Sequence, residues 1–331
     1  MDEIKKDALL SVRHLTVEYT SEGEVIHAVN DVSFELEKGK TIGLVGETGA
    51  GKTSIAKAIL RILPEPPARV KNGEIWFEGR ELLGLKEEEM RKIRGKNISM
   101  IFQDPMTALN PIMRIGEQIA EVIRLHEKCG KAQSVQKAKE MLEIVGIPGE
   151  RYYEYPHQFS GGMKQRVVIA MALACAPDLL LADEPTTALD VTIQAQVLDM
   201  INELKERLNT SMIMITHDLG VVAQVCDSVA VVYAGEIMEY GTKEQIFDHP
   251  LYPYTKGLFG SLPNMNDDAE RLPPIEGLPP NPADLPKGCA FHPRCPYATE
   301  ACEQAHIPLT DMGGGHLCRC CRVNELAKEG K

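Results

Sequence analysis

Aromatic residues are scarce in this chain: Phe, Trp and Tyr make up 5% of 331 residues, with one tryptophan among them. Long apolar runs are missing as well. No stretch approaches the ~20 residues that span a bilayer, and the longest, Val167 to Ala176, reads as a buried helix. No charged-then-apolar segment opens the chain, the pattern of a protein expected to stay in the cytosol. There is no excess of positive charge either. Against 48 acidic residues stand 36 Lys and Arg, a net charge of −12, and no basic stripe appears. That balance argues against a nucleic-acid-binding surface. No internal repeat and no second phosphate motif is present. The remainder, 25% charged and 44% hydrophobic, is the composition of a soluble globular protein of about two domains.

The positive signals begin at Gly46. The run Gly46-Glu47-Thr48-Gly49-Ala50-Gly51-Lys52-Thr53 follows an apolar segment, Thr41–Val45, that reads as a buried parallel strand. It precedes a helical pattern from Ser54 to Leu63 that Pro64 ends. Gly46, Gly49 and Gly51 let backbone N–H groups converge on phosphate oxygens where a Cβ would clash. Lys52 is expected at the β/γ-phosphates and Thr53 on Mg²⁺, and the helix N-terminus adds the positive end of its dipole. This spacing points to a nucleoside triphosphate.

A second apolar strand, Leu179–Ala182, is followed by Asp183-Glu184-Pro185. Carboxylates at that end of a strand lie at the sheet edge where open α/β sheets bind ligands. Asp183 suits Mg²⁺, directly or through water, and Glu184 suits polarising an attacking water. A third strand, Met212–Thr216, ends in His217-Asp218. At the same edge, His217 is a candidate γ-phosphate sensor. Ser160 stands before Gly161-Gly162 and an apolar-rich segment, an N-cap arrangement with bare N–H groups that face an anion.

In this order the segments resemble those of ATP-binding cassette (ABC) ATPases. The resemblance implies a role for Gln103, in Phe102-Gln-Asp-Pro105, beside the metal and the attacking water. It makes Ser160-Gly161-Gly162 the signature loop, which contacts the γ-phosphate of a nucleotide held by an opposing subunit. Asp183 becomes the magnesium aspartate, Glu184 the catalytic glutamate and His217 the switch histidine. Ala188-Leu-Asp190 becomes the loop that crosses the dimer interface, and Tyr19, ending the alternating strand Leu15–Tyr19, the ring that stacks on adenine. ATP is the implied nucleotide, held by residues 46–54 with Ser54 included, and Mg²⁺ the implied metal, near Thr53, Gln103 and Asp183. The chain departs from the family pattern at Phe159, where leucine is usual, and at Thr187, where serine is common.

The expected fold is therefore an α/β P-loop ABC-ATPase core over residues 1–240. An antiparallel β subdomain occupies residues 1–40 and a helical subdomain residues 104–175, where Ala138, Met141, Leu142 and Val145 recur at helical spacing and Gly146 suits a C-cap. If that subdomain projects, one subunit cannot fold its signature loop onto its own cradle, so closure requires a second cassette.

After Gly241 the composition changes. Seven prolines between Pro263 and Pro286 exclude helix and central strand there, so residues 241–288 read as a Pro-rich connector. Beyond it, six of the nine cysteines fall at positions 289, 295, 302, 318, 320 and 321. Cys129, Cys175 and Cys226 are scattered and read as ordinary small residues. A cytosolic chain does not rely on disulfides, so the cluster over residues 289–331 points to a metal. Zinc favours pairs of closely spaced cysteines; the wider spacing here suits an iron–sulfur cluster.

Leu251-Tyr-Pro-Tyr-Thr255 and Gly288-Cys-Ala-Phe-His-Pro-Arg-Cys-Pro296 resemble the C-terminal extension of ATPase subunits from dipeptide and oligopeptide importers. That resemblance implies a [4Fe–4S] cluster on Cys289, Cys295, Cys302 and, four residues after His316, Cys320. Cys318 is the alternative fourth ligand and Cys321 a more distant one. The cluster is expected to staple a small domain with little apolar core.

The same resemblance implies a peripheral subunit on the cytoplasmic face of the plasma membrane. Its implied partners are two transmembrane permease subunits, a second ABC ATPase (a related chain or another copy) and an extracytoplasmic peptide-binding protein. Met106 to Glu121 would receive the coupling helix of a permease. A nickel chelate or another small solute is the alternative cargo. A soluble ABC ATPase of DNA repair or translation is the alternative class, which the acidic balance and the lack of a coiled-coil insertion disfavour.

Overall fold

In the computed structural model, residues 8–186, 190–260 and 275–329 are described. Thr187 and residues 188 and 189 of the interface loop lie outside them, as do the first three of the seven connector prolines. The strands in chain order are β1 (Ala8–Ser21), β2 (Glu24–Glu37), β3 (Thr41–Val45), β4 (Ala68–Phe77), β5 (Arg80–Glu81) and β6 (Ile98–Ile101). Then come β7 (Leu179–Asp183), β8 (Ser211–Thr216), β9 (Ser228–Tyr233), β10 (Glu236–Thr242), β11 (Thr310–Asp311) and β12 (Leu317–Cys318). The chain divides into two compact units. One holds Leu36–Thr41 and Leu82–Ile215; the other holds Leu10–Glu35, Ile42–Glu81 and the chain from Thr216 onward.

In the second unit, β2, β1, β4 and β5 form an antiparallel sheet in that order. Alternation in β1 buries Leu15 and Val17 while Thr16 and Glu18 are only partly covered, as expected for a strand with one face on the core. The antiparallel β subdomain thus draws on β4 and β5 in addition to residues 1–40. β3, buried at all five positions, pairs in parallel with β9, Val45 opposite Val231. A strand apolar on both faces belongs inside a parallel sheet. β9 turns back antiparallel into β10, and β12 pairs with β10, Glu239 opposite Cys318. The Cys-rich extension therefore adds strands to the sheet that carries β3. Residues 243–260, expected within the connector, fold as two short helices, Lys243–Asp248 and Pro253–Gly260. The few aromatic rings gather here: Tyr233, Tyr252, Tyr254 and Phe291 are fully buried, with Tyr233 and Tyr254 centroids 4.7 Å apart.

In the first unit, β6, β7 and β8 run parallel, with Ile98 opposite Leu179 and Ala182 opposite Met214. Residues 104–175 are mainly helical as expected, with the long helices Ile115–His126, Lys131–Ile144 and Gly161–Leu173. Ala138, Leu142 and Val145 are buried along one face. The helix Val191–Leu208 starts at Asp190, whose side chain caps the N–H of Ile193 at 2.9 Å. It ends on Asn209 in the left-handed conformation, φ 52°. Among the described residues no helix is long and apolar enough to cross a membrane.

Candidate functional site

The phosphate loop leaves β3 and enters a helix spanning Lys52–Ile59. That helix is shorter than the Ser54–Leu63 pattern suggests, because the chain turns at Arg61, φ 51°. Gly51, at the helix N-cap, has φ 99°, and a Cβ there would lie 2.1 Å from the Ala28 carbonyl oxygen. Only glycine fits that approach. The Lys52 ammonium donates to the carbonyls of Gly46 and Glu47, at 2.7 and 3.0 Å, so the charge is held over the loop. The Tyr19 hydroxyl is 3.1 Å from that of Ser54, which fixes the expected adenine-stacking ring to the start of the same helix. His217 is exposed, in the bend after β8, and Asp218 caps the helix Leu219–Val225.

In the other unit, Asp183 ends β7 and is buried. Glu184 follows with φ 47°, a left-handed conformation that a non-glycine residue holds only under local constraint. Its N–H donates to the Ile215 carbonyl at 2.8 Å, and its carboxylate accepts from the Gln103 amide at 2.7 Å. The structure thus brings the two water-positioning candidates into direct contact. Ser160 is the N-cap of Gly161–Leu173, its hydroxyl accepting from the Met163 N–H, as the sequence predicts. Phe159, the departure from the family pattern, is buried with the Arg151 guanidinium 4.2 Å from its ring centroid.

Between the helices Pro105–Ala108 and Ile115–His126, the Gln118 side chain accepts from the N–H of Asn110 and donates to the carbonyls of Asn110 and Met113. The loop so held presents Ile112, 83% exposed.

A second site lies in the extension. Cys289, Cys295, Cys302 and Cys320 line one cavity, with Cys321, Tyr252, His292 and Arg322 among the other walls. The Cys321 and Cys302 sulfurs are 3.6 Å apart, and the Tyr252 hydroxyl is 3.1 Å from the Cys289 sulfur. Cys318 does not line the cavity; it is buried in β12 opposite Glu239. Gly288 makes the cavity wall possible: at φ 73°, its Cβ would meet the Cys302 carbonyl at 2.2 Å, the group that accepts the Cys289 N–H. Burial pushes the Cys289 and Cys295 thiols up, and that of Cys320 to about 11. Among the described residues no three His, Cys, Asp or Glu side chains converge on a point that could hold a single metal ion.

Sequence reasoning missed two residues that grip the phosphate loop. The Tyr254 hydroxyl accepts the Glu47 N–H at 2.9 Å. The Arg294 guanidinium forks onto the Glu47 carboxylate at 2.9 and 3.1 Å. Desolvation of Tyr254 pushes its phenol up. Arg294, whose charge the Glu47 pair favours against its own burial, stays protonated. The only sequence signals were the Tyr-Pro-Tyr and Pro-Arg-Cys segments themselves.

A strand–loop–helix cradle, a carboxylate pair after an apolar strand and a capped Ser-Gly-Gly helix define an ATP-binding cassette ATPase. Residues 29–187 match the ABC transporter family model, and residues 238–302 match that of the oligopeptide/dipeptide transporter C-terminal region. The fold is similar to the dimeric structure of MJ0796, a bacterial ABC transporter cassette, with TM-score 0.64 and 25% identity over 71% of this chain and 98% of that one. The chain is 50% identical to the dipeptide transport ATP-binding protein DppD of Bacillus subtilis, over 97% of each chain. It is 52% identical to the oligopeptide transport ATP-binding protein OppD of Haemophilus influenzae, over 94% of this chain and 96% of that relative. This chain belongs to the family of ATP-binding subunits of dipeptide and oligopeptide ABC transporters. ATP hydrolysis coupled to transport is the activity of that family.

Proposed function

We propose that this chain energises the uptake of dipeptides or oligopeptides across the cytoplasmic membrane, as one of two cassettes that close around ATP. The observation that carries this reading is the match to peptide-transport subunits along nearly the whole chain, cassette and C-terminal region together. A cargo other than peptide has no such support.

In the proposed mechanism, the main-chain N–H groups of residues 46–54 and the Lys52 ammonium hold the phosphates. Thr53, Asp183 and Gln103 are the residues that would hold Mg²⁺, which would supply charge compensation to the phosphates. Glu184, steadied by Gln103, orients the attacking water, and His217 holds the γ-phosphate. Ser160, Gly161 and Gly162 of the opposite cassette complete the site, and Asp190 lies at the seam. Tyr19 carries the adenine. Loss of the γ-phosphate removes the bridge, and the pair reopens.

Ile112 and its braced loop form the surface that receives a permease, which turns opening and closing into alternating access. Two permease subunits, a second cassette and an extracytoplasmic peptide-binding protein complete the assembly, and the chain sits peripherally on the cytoplasmic face. Tagged protein drawn from detergent-solubilised membranes is expected to carry two integral membrane subunits and a second ABC ATPase. Ribosomal proteins or nucleic acid in their place would favour the soluble class instead.

The thiol cavity fits a [4Fe–4S] cluster held by Cys289, Cys295, Cys302 and Cys320. What supports this reading is that the four thiols line one cavity. When bound, such a cluster supplies four metal–thiolate bonds that tie the extension together. Iron and acid-labile sulfide in anaerobically purified protein test this directly; zinc in their place overturns it.

A further inference from the structure

The Glu47 side chain lies in the phosphate loop, where a negative charge repels the nucleotide. Every polar group of this residue is engaged. Its N–H goes to the Tyr254 hydroxyl at 2.9 Å, and its carbonyl accepts from the Ala50 N–H and the Lys52 ammonium. Its carboxylate is taken by both terminal nitrogens of Arg294. Arg294 is itself fixed on all sides. Its side chain is 5% exposed, and it donates to the carbonyls of Ile275 and Glu276 and to the Tyr233 hydroxyl. Its guanidinium stands 5.9 Å from the Phe291 ring centroid.

We propose that Arg294 is a positioning residue for nucleotide binding, through which the Cys-rich extension neutralises Glu47 and locks the phosphate loop. The forked geometry matters as much as the charge, because a planar guanidinium fixes both carboxylate oxygens at once. Holding Glu47 also holds the carbonyl on which the Lys52 ammonium rests. Without Arg294, an uncompensated carboxylate faces the triphosphate and the Lys52 rest position loosens. Arg294 immediately precedes Cys295 in a tight turn, with the Arg294 and Cys295 N–H groups donating to the carbonyls of Phe291 and His292. The segment that delivers thiols to the cavity therefore delivers the guanidinium to the phosphate loop. The inference needs the loop to bind nucleotide and does not need the cavity to hold a cluster. An iron-free protein would defeat the cluster reading and leave this one standing.

The test is MgADP affinity by titration calorimetry on the full-length chain. Arg294→Gln is expected to weaken binding about tenfold, and Arg294→Lys to lie between it and the wild type. Adding Glu47→Gln to Arg294→Gln is expected to recover most of the loss, because the uncompensated charge is gone. A merely structural arginine would show no such rescue. Affinity for Arg294→Gln within twofold of wild type, or a double variant no better than the single one, overturns the proposal. Should Arg294→Gln not fold, as judged by circular dichroism, the same comparison is made with Arg294→Lys and Arg294→Lys/Glu47→Gln. There, wild-type affinity in the single variant, or no recovery in the double one, overturns it equally.

Discussion

At the phosphate loop the holding groups are mostly main-chain ones, set within eight consecutive residues by a strand before them and a helix after them. At the thiol cavity they are side chains drawn from separate segments between Tyr252 and Leu326. A main-chain site survives most changes of side chain and fails when a glycine or a flanking element is lost. A side-chain site fails one ligand at a time. The contrast extends to how each is secured. Gly51 of the loop rests against the Ala28 carbonyl and the cavity wall rests on Gly288, yet only the loop is also clamped from the far end of the sequence, by Tyr254 and Arg294.

Four changes press on that comparison. The largest effect is expected from Glu184→Gln, which keeps the size of the side chain and removes the charge that orients water. Phosphate release should fall by about 10²- to 10⁴-fold while nucleotide binding persists; unchanged turnover would take Glu184 out of that role. Next comes Lys52→Ala, which removes the cation the cradle carries within its own loop. MgADP affinity should drop by about 10- to 100-fold, and wild-type affinity would contradict the cradle assignment. The cavity is predicted to respond ligand by ligand. Cys289→Ser or Cys295→Ser should strip most of the iron from anaerobically purified protein, whereas Cys318→Ala, outside the cavity, should leave it in place; loss of iron with Cys318→Ala would reassign the fourth ligand. The smallest effect on folding belongs to Ser160→Ala, which removes a helix cap along with the hydroxyl proposed to complete the opposite cassette's site. It should cost about 1 kcal/mol and lower the melting temperature by about 2 °C. ATP turnover is expected to fall by more than that loss of stability explains; a fall no larger would take Ser160 out of the composite site.

β3, β7 and β8 were legible as strands because each is a short apolar run ended by a glycine or polar residues. The N-cap at Ser160 was legible because it is a local event: one hydroxyl and the N–H three residues on. The grip on Glu47 was not, since Tyr254 and Arg294 lie 207 and 247 residues away in sequence and neither carries a motif of its own. The two helices within 243–260 were hidden by the proline-rich stretch immediately C-terminal to them. Their buried residues, Ile246 in the first and Pro253, Tyr254 and Thr255 in the second, are too few to set a helical period. The choice between Cys318 and Cys320 turns on a ladder register, Glu239 opposite Cys318, that spacing alone does not specify. The extra thiol of Cys321 at the cavity has the same origin. It sits 3.6 Å from the Cys302 sulfur only because residues 302 and 321 meet in the folded extension.

ATP turnover of the purified importer in proteoliposomes, with and without a dipeptide-loaded binding protein, tests most directly whether this cassette drives peptide uptake. The account predicts a rate that rises when the loaded binding protein is present and is lost with Glu184→Gln. A rate indifferent to peptide, with the assembly intact, would contradict it.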